Sequence, residues 1–188
     1  MRNIARCVVL GLVSAALTAQ AQTDDGFDES TIRVSDLPAN PPQFEAFQVK
    51  EKFDGSVAKP DVRSHPRSRM FRTVIREGAK DGPNFAGHYT ILGWGCGAGC
   101  VSLAIVDAKT GRVFHPENLQ TVDNFNVDYD AFEPPDGRLV KYRLDSRLLV
   151  VIGGINEDPA RRGISYFVWE GEKLRRIRFA PKPLSDGK

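Results

Sequence analysis

No surplus of charge marks this chain, in which 26 lysines and arginines stand against 24 aspartates and glutamates. Nucleic-acid affinity comes largely from neutralising phosphates, so the balance argues against such a partner. No apolar run reaches the roughly 20 residues that a membrane helix requires, and a membrane span is not expected. There is no internal repeat of the kind that builds a propeller, and no low-complexity tract. Cysteine is scarce, at three residues, and the Cys-x-x-Cys spacing of oxidoreductases is missing. Between Asp81 and Ala108 there is no lysine or arginine to stabilise a thiolate.

What is present begins with the pattern of an export signal. Arg2 and Arg6 precede an apolar stretch from Cys7 to Leu17, and Ala19-Gln20-Ala21 supplies small residues for cleavage. Residues 1–21 are therefore read as a signal peptide, with the protein periplasmic or secreted after cleavage near Ala21. The remainder balances its charges and is long enough for one domain with a core. It keeps an even pair of cysteines, Cys96 and Cys100, for an oxidising compartment, so a disulfide is the default expectation.

Residues 22–40 are acidic at first and proline-punctuated later, and read as a flexible N-terminal segment; residues 41–182 read as a single β-rich domain and 183–188 as a tail. Ser64-His65-Pro66, with serine as the cap and proline in the first turn, and the apolar pairs Met70/Val74 and Phe71/Ile75 predict one helix over 67–77, stopped at Gly78. Arg69, Arg72 and Arg76 on its other side read as a solvated face or as a dock for an anionic ligand. Strands are predicted at Phe85–Trp94, Val101–Asp107, Arg112–Phe114, Asp123–Tyr129, Leu139–Tyr142, Leu148–Ile152, Ile164–Trp169 and Leu174–Phe179. Pro134 to Gly137 and Gly153 to Gly163 read as turns or loops. The fold class expected is α+β, mostly β: an antiparallel meander, sandwich-like or barrel-like, with one packed helix.

Chemistry concentrates between Asn84 and Cys100, which holds both cysteines, His88, Trp94 and five glycines. The first reading is a disulfide-locked loop presenting Trp94, Gly95 and Gly97 to a partner, with Cys96 and Cys100 as its staple. The rival is an enzyme with Cys100 or Cys96 as nucleophile or redox centre, His88 as base and Asp107 orienting it. Strand register separates them. Placing Trp94 opposite Val101 brings His88 to Asp107, whereas placing Cys96 opposite Cys100 brings Trp94 to Ser102 and His88 to Ala108. A metal site of two thiolates with His88 or His115 lacks a local fourth ligand, so neither metal nor cofactor is expected. Gly93-x-Gly95-x-x-Ala98 lacks the following helix of a dinucleotide site. The Asn124-to-Asp130 ladder lacks the glycine and glutamate of a calcium loop.

The order Gly87-His-Tyr89, Trp94-Gly-Cys-Gly-Ala-Gly-Cys100 and Lys141 to Val151 resembles a group of small exported bacterial proteins to which no activity is assigned, over about Arg63 to Phe179. The stretch around His88 and Cys100 is also superficially similar to the L,D-transpeptidase signature. Gly97 and Ala98 replace its hydroxyl residue and histidine, and Ser102 replaces its arginine. The expectation is an exported, non-catalytic binding or inhibitor-like module of the cell envelope, monomeric, with an envelope protein or an anionic ligand as partner. The cysteine enzyme, acting in thiol redox or cell-wall acyl transfer, is the alternative.

Overall fold

The computed structural model describes residues 29–132 and 139–184. The protein is mostly β, a single antiparallel sheet of eight strands: β1 Tyr89–Gly97, β2 Cys100–Asp107, β3 Val113–Phe114, β4 Thr121–Asp123, β5 Val140–Tyr142, β6 Leu148–Ile155, β7 Asp158–Glu170 and β8 Lys173–Pro181. Neighbours run β1-β2-β4-β6-β7-β8, with β3 beside β2 and β5 beside β6. The expected meander is present, with these two short strands added to it.

The short strand β4 joins two halves. It pairs with the Cys100 end of β2 and with Gly154 and Ile155 of β6. Past it, β2 and β6 run on in opposite directions, one meeting β3 and the other β5. The halves fold over one another so that their apolar faces meet. Trp169 of β7 lies with its ring centre 5.1 Å from Tyr89 and 5.4 Å from Phe114. The turn before β1 fastens the closure, with the Gly87 N–H donating to the Leu144 carbonyl at 2.7 Å.

Side-chain alternation explains why β1 and β2 read as continuous apolar runs. Tyr89, Ile91, Leu103 and Ile105 point into the main core between the halves, while Leu92, Ala104 and Val106 face a second, smaller core under the helices. A strand buried on both faces loses its polar period. The helical layer is α1, Pro66–Met70, and α2, Arg72–Gly78. The single helix expected over 67–77 is broken at Phe71, whose backbone leaves the helical region as its ring turns down onto Trp94, 4.8 Å between centres. Ile75 is fully buried beneath α2. Among the described residues no helix is long and apolar enough to cross a membrane.

Three expectations change. The Asp123–Tyr129 alternation is not a strand beyond Asp123: Asn126 turns the chain at φ 49°, leaving Val127 buried but Phe125 and Tyr129 exposed. The strand expected from Phe85 starts at Tyr89, because Phe85 and Tyr89 exchange backbone hydrogen bonds across a tight turn through Ala86 and Gly87. Gly153 to Gly163 is not a loop. β6 and β7 continue through it and turn only at Asn156 and Glu157, both at positive φ. Gly153 and Gly163 are paired across the hairpin, where a side chain would collide with the Asp123 and Ala180 carbonyl oxygens respectively. The glycines permit close backbone packing.

The packed domain also takes in residues ahead of 41. Ser30, Thr31 and Ile32 are buried, and Ile32 bridges Val127. The expected leader at 1–21, the Pro134 to Gly137 turn and most of the expected C-terminal tail lie outside the described residues.

Candidate functional site

The β1–β2 hairpin projects its tip from the end of the molecule where β4 joins the halves. Trp94 pairs with Ser102 and Gly95 with Val101, and a bulge between Gly95 and Gly97 brings Gly97 opposite Cys100. This is the register that places the sulfurs together. Cys96 and Cys100 form a disulfide with their Cα atoms 5.2 Å apart. The turn requires its glycines, with Gly97 at φ 142° and Gly99 at φ 66°, where a side chain would also strike the Asn124 amide. A backbone bond from the Asn124 N–H to the Gly99 carbonyl, 2.9 Å, ties the tip to the segment after β4.

Gly95, Cys96, Gly97 and Ala98 are exposed. Trp94 is half-buried, with its ring on Phe71 rather than in solvent and its Nε1 buried without a hydrogen bond in the protein. Of the residues expected to meet a partner, Gly95 and Gly97 are free to do so. Trp94 stiffens the base of the tip.

His88 lies at the opposite end of the hairpin, about 25 Å along the strand from the sulfurs at the usual rise per residue. Its Nε2 is 3.9 Å from Asp107 Oδ1, beyond hydrogen-bond reach, although the two residues are not directly opposed. The disulfide register and the His88–Asp107 approach thus coexist, because a diagonal neighbour lies close enough. The Asp107 carboxylate is engaged elsewhere, accepting from the Lys109 N–H at 2.9 Å and the Thr110 hydroxyl at 2.7 Å, which caps the turn into β3. Burial lowers the His88 pKa, opposed by Asp107 and reinforced by Lys109. The structure brings His88 and Asp107 together and brings neither to Cys100, whose sulfur is bonded to Cys96.

Two depressions flank the tip. On the inner side a cleft of about 460 Å³ opens between Ile91, Leu103 and Val122 of one half and Val140 and Tyr142 of the other, with the exposed Tyr129 beside it. Gly93 and Gly95 form its β1 wall, and among the described residues no charged one lines it. On the other side a groove of about 500 Å³ runs along the disulfide past Asp123, Glu157 and Asp158, with Phe125 and Leu184 exposed in it.

Sequence reasoning missed the far wall of the cleft, since Tyr142 and Tyr129 read as ordinary strand aromatics. It also missed Arg162. Buried in β7, this guanidinium donates to the carbonyls of Ser30, Lys182, Phe125 and Asn126 at 2.6 to 2.9 Å. Nothing local in the sequence marks such a clamp. A further polar cluster joins the helical layer to the chain after β3. The Ser68 hydroxyl and His115 Nε2 are 2.8 Å apart, and the His65 and His115 rings lie 4.8 Å centre to centre. Burial, then the neighbouring His65 and Arg67, hold the His115 pKa down at about 4, against a pull upward from the Leu103 carbonyl. Ser68 is wholly buried, so this serine–histidine contact offers no nucleophile to a substrate. The arginines expected as an anion dock, Arg69, Arg72 and Arg76, are exposed on the helical layer.

No family model, curated protein or solved structure matches the chain.

Proposed function

We propose that this protein is an exported, non-catalytic binding module of the bacterial cell envelope, inhibitor-like in presenting a rigid loop. Its partner is an envelope protein. The tip from Gly95 to Ala98 meets the partner, and the cleft beside it receives an apolar group. The observation that carries this reading is the exposed, disulfide-locked tip directly bordering a cleft of about 460 Å³ that no charged side chain lines among the described residues. A loop already fixed by a covalent bond loses little conformational freedom on binding. Apolar pockets with few polar groups are the usual form of a ligand site. The disulfide itself suits an oxidising compartment.

The test is a fluorescence titration with N-phenyl-1-naphthylamine, a neutral apolar probe, against the oxidised protein and a Gly93→Val variant. A side chain at 93 would point toward Val101 and Leu103, so valine fills the cleft. Saturable binding that Gly93→Val abolishes supports the reading. Absence of saturable binding, or equal binding by a folded Gly93→Val protein, sinks it.

A further inference from the structure

Backbone hydrogen bonding along β1 shows which way each peptide group points. The His88 carbonyl accepts from the Ala108 N–H, toward the β2 side. Tyr89 instead pairs outward with Phe85 and Asn84, and Ile91 pairs outward with the Asn84 side chain, its N–H donating to Oδ1 at 2.8 Å and its carbonyl accepting from Nδ2 at 3.1 Å. Peptide groups alternate along a strand, so Gly93 and Gly95 also direct their N–H and C=O outward. Asn84 occupies the outer edge as far as Ile91 and no farther. Among the described residues nothing pairs with the outward groups of Gly93 and Gly95, and both residues are exposed.

An unpaired strand edge is a template for another chain, and proteins ordinarily blunt it with charge, proline or a covering element. Here the open portion carries two glycines. It also borders the cleft described above, whose lining among the described residues is mostly apolar and uncharged. A free edge requires peptide backbone as its complement, and the neutral lining requires apolar side chains on alternate residues of that backbone.

We propose that the outer edge of β1 at Gly93 and Gly95 binds an extended, uncharged peptide segment of a partner protein as an added strand, with every second side chain of the segment entering the cleft between β1 and β5. This rests on the binding-module reading and names its ligand class. Main-chain pairing supplies affinity, and the cleft supplies selectivity for apolar residues at two-residue spacing.

The experiment uses the oxidised protein and an acetylated, amidated peptide, Ser-Val-Thr-Val-Thr-Phe-Ser, beside the same peptide N-methylated at its central amides. Binding is followed by calorimetry, and amide exchange at Gly93 and Gly95 by NMR. The unmethylated peptide is expected to bind saturably and slow exchange at both glycines, while the methylated one binds at least about tenfold more weakly. Gly95→Pro removes one outward N–H without touching the β1–β2 ladder, and is expected to keep its melting temperature and lose at least about tenfold in affinity. Gly95→Ala keeps that N–H, adds a methyl in open space and is expected to bind like wild type. Equal binding of the two peptides, or full binding by Gly95→Pro, overturns strand addition. If the naphthylamine probe binds but no peptide does, strand addition falls and the cleft reading stands. If neither binds, both fall.

Discussion

Arg162 holds together three segments that are far apart in sequence: the entry at Ser30, the turn at Phe125 and Asn126, and the end of β8 at Lys182. Arg162→Met removes a donor from four carbonyls, of which that of Asn126 keeps a second, the Ile32 N–H at 2.8 Å. The expected loss is about 3 kcal/mol of unfolding free energy, read by denaturant titration, with Arg162→Lys intermediate because it keeps the charge but not the fork. His115 sets a pH dependence. Its folded-state pKa of about 4 lies below the unfolded value, so the unfolded chain binds the extra proton between those limits. Stability is full above about pH 6.5 and falls as the pH drops toward 4. His115→Phe is expected to flatten that slope in melting curves recorded across the window. Neither role was legible in the sequence. A histidine beside proline and an arginine beside another arginine look like surface residues until the fold buries them.

The hairpin shows which elements can be read from residues and which cannot. Cys96 and Cys100 with their interleaved glycines announced a locked turn, and the β-branched run after Cys100 announced a strand. Register had two candidates; the strands take the one with Trp94 opposite Ser102, and the bulge that then sets Gly97 rather than Cys96 opposite Cys100 is specified by no residue type alone. Glycine misled at Gly153 and Gly163, because tight packing of one backbone on another needs the same residue as a loop. Phe71 misled in the other direction, since the i,i+4 pairs Met70/Val74 and Phe71/Ile75 concealed the break that sends its ring to Trp94. Replacing both sulfurs, as in Cys96→Ser with Cys100→Ser, is expected to cost about 2 kcal/mol, and to accelerate amide exchange from Gly95 to Gly99 while leaving β6 unaffected. Phe71→Ala is expected to cost about 3 kcal/mol and to shift tryptophan emission to the red as Trp94 loses its cover.

At the scale of the molecule, one sheet serves two cores. The main one is made by non-local pairing of the halves, and the smaller one by clamping α1 and α2 over Leu92, Ala104 and Val106. The alternation rule predicted a mostly β domain with a packed helix, and that much was written in the chain. The folding-over of the halves was not, because it depends on β4 being only three residues long and sharing β2 and β6 as neighbours. Ile75→Ala, which hollows the smaller core, is expected to destabilise by about 2 to 4 kcal/mol and to raise exchange in α2 before β7, as hydrogen-exchange mass spectrometry would show.

The two outermost strands differ in kind. β8 carries Lys173, Arg175, Arg176 and Arg178, and Arg178 reaches back to hold the carbonyls of Ala39 and Asn40. Under the strand-addition proposal the β1 flank accepts a partner strand, whereas the cationic, tethered β8 flank disfavours one. With one receptive flank per copy, strand addition as proposed is expected to stop at a one-to-one complex, which sedimentation velocity would show.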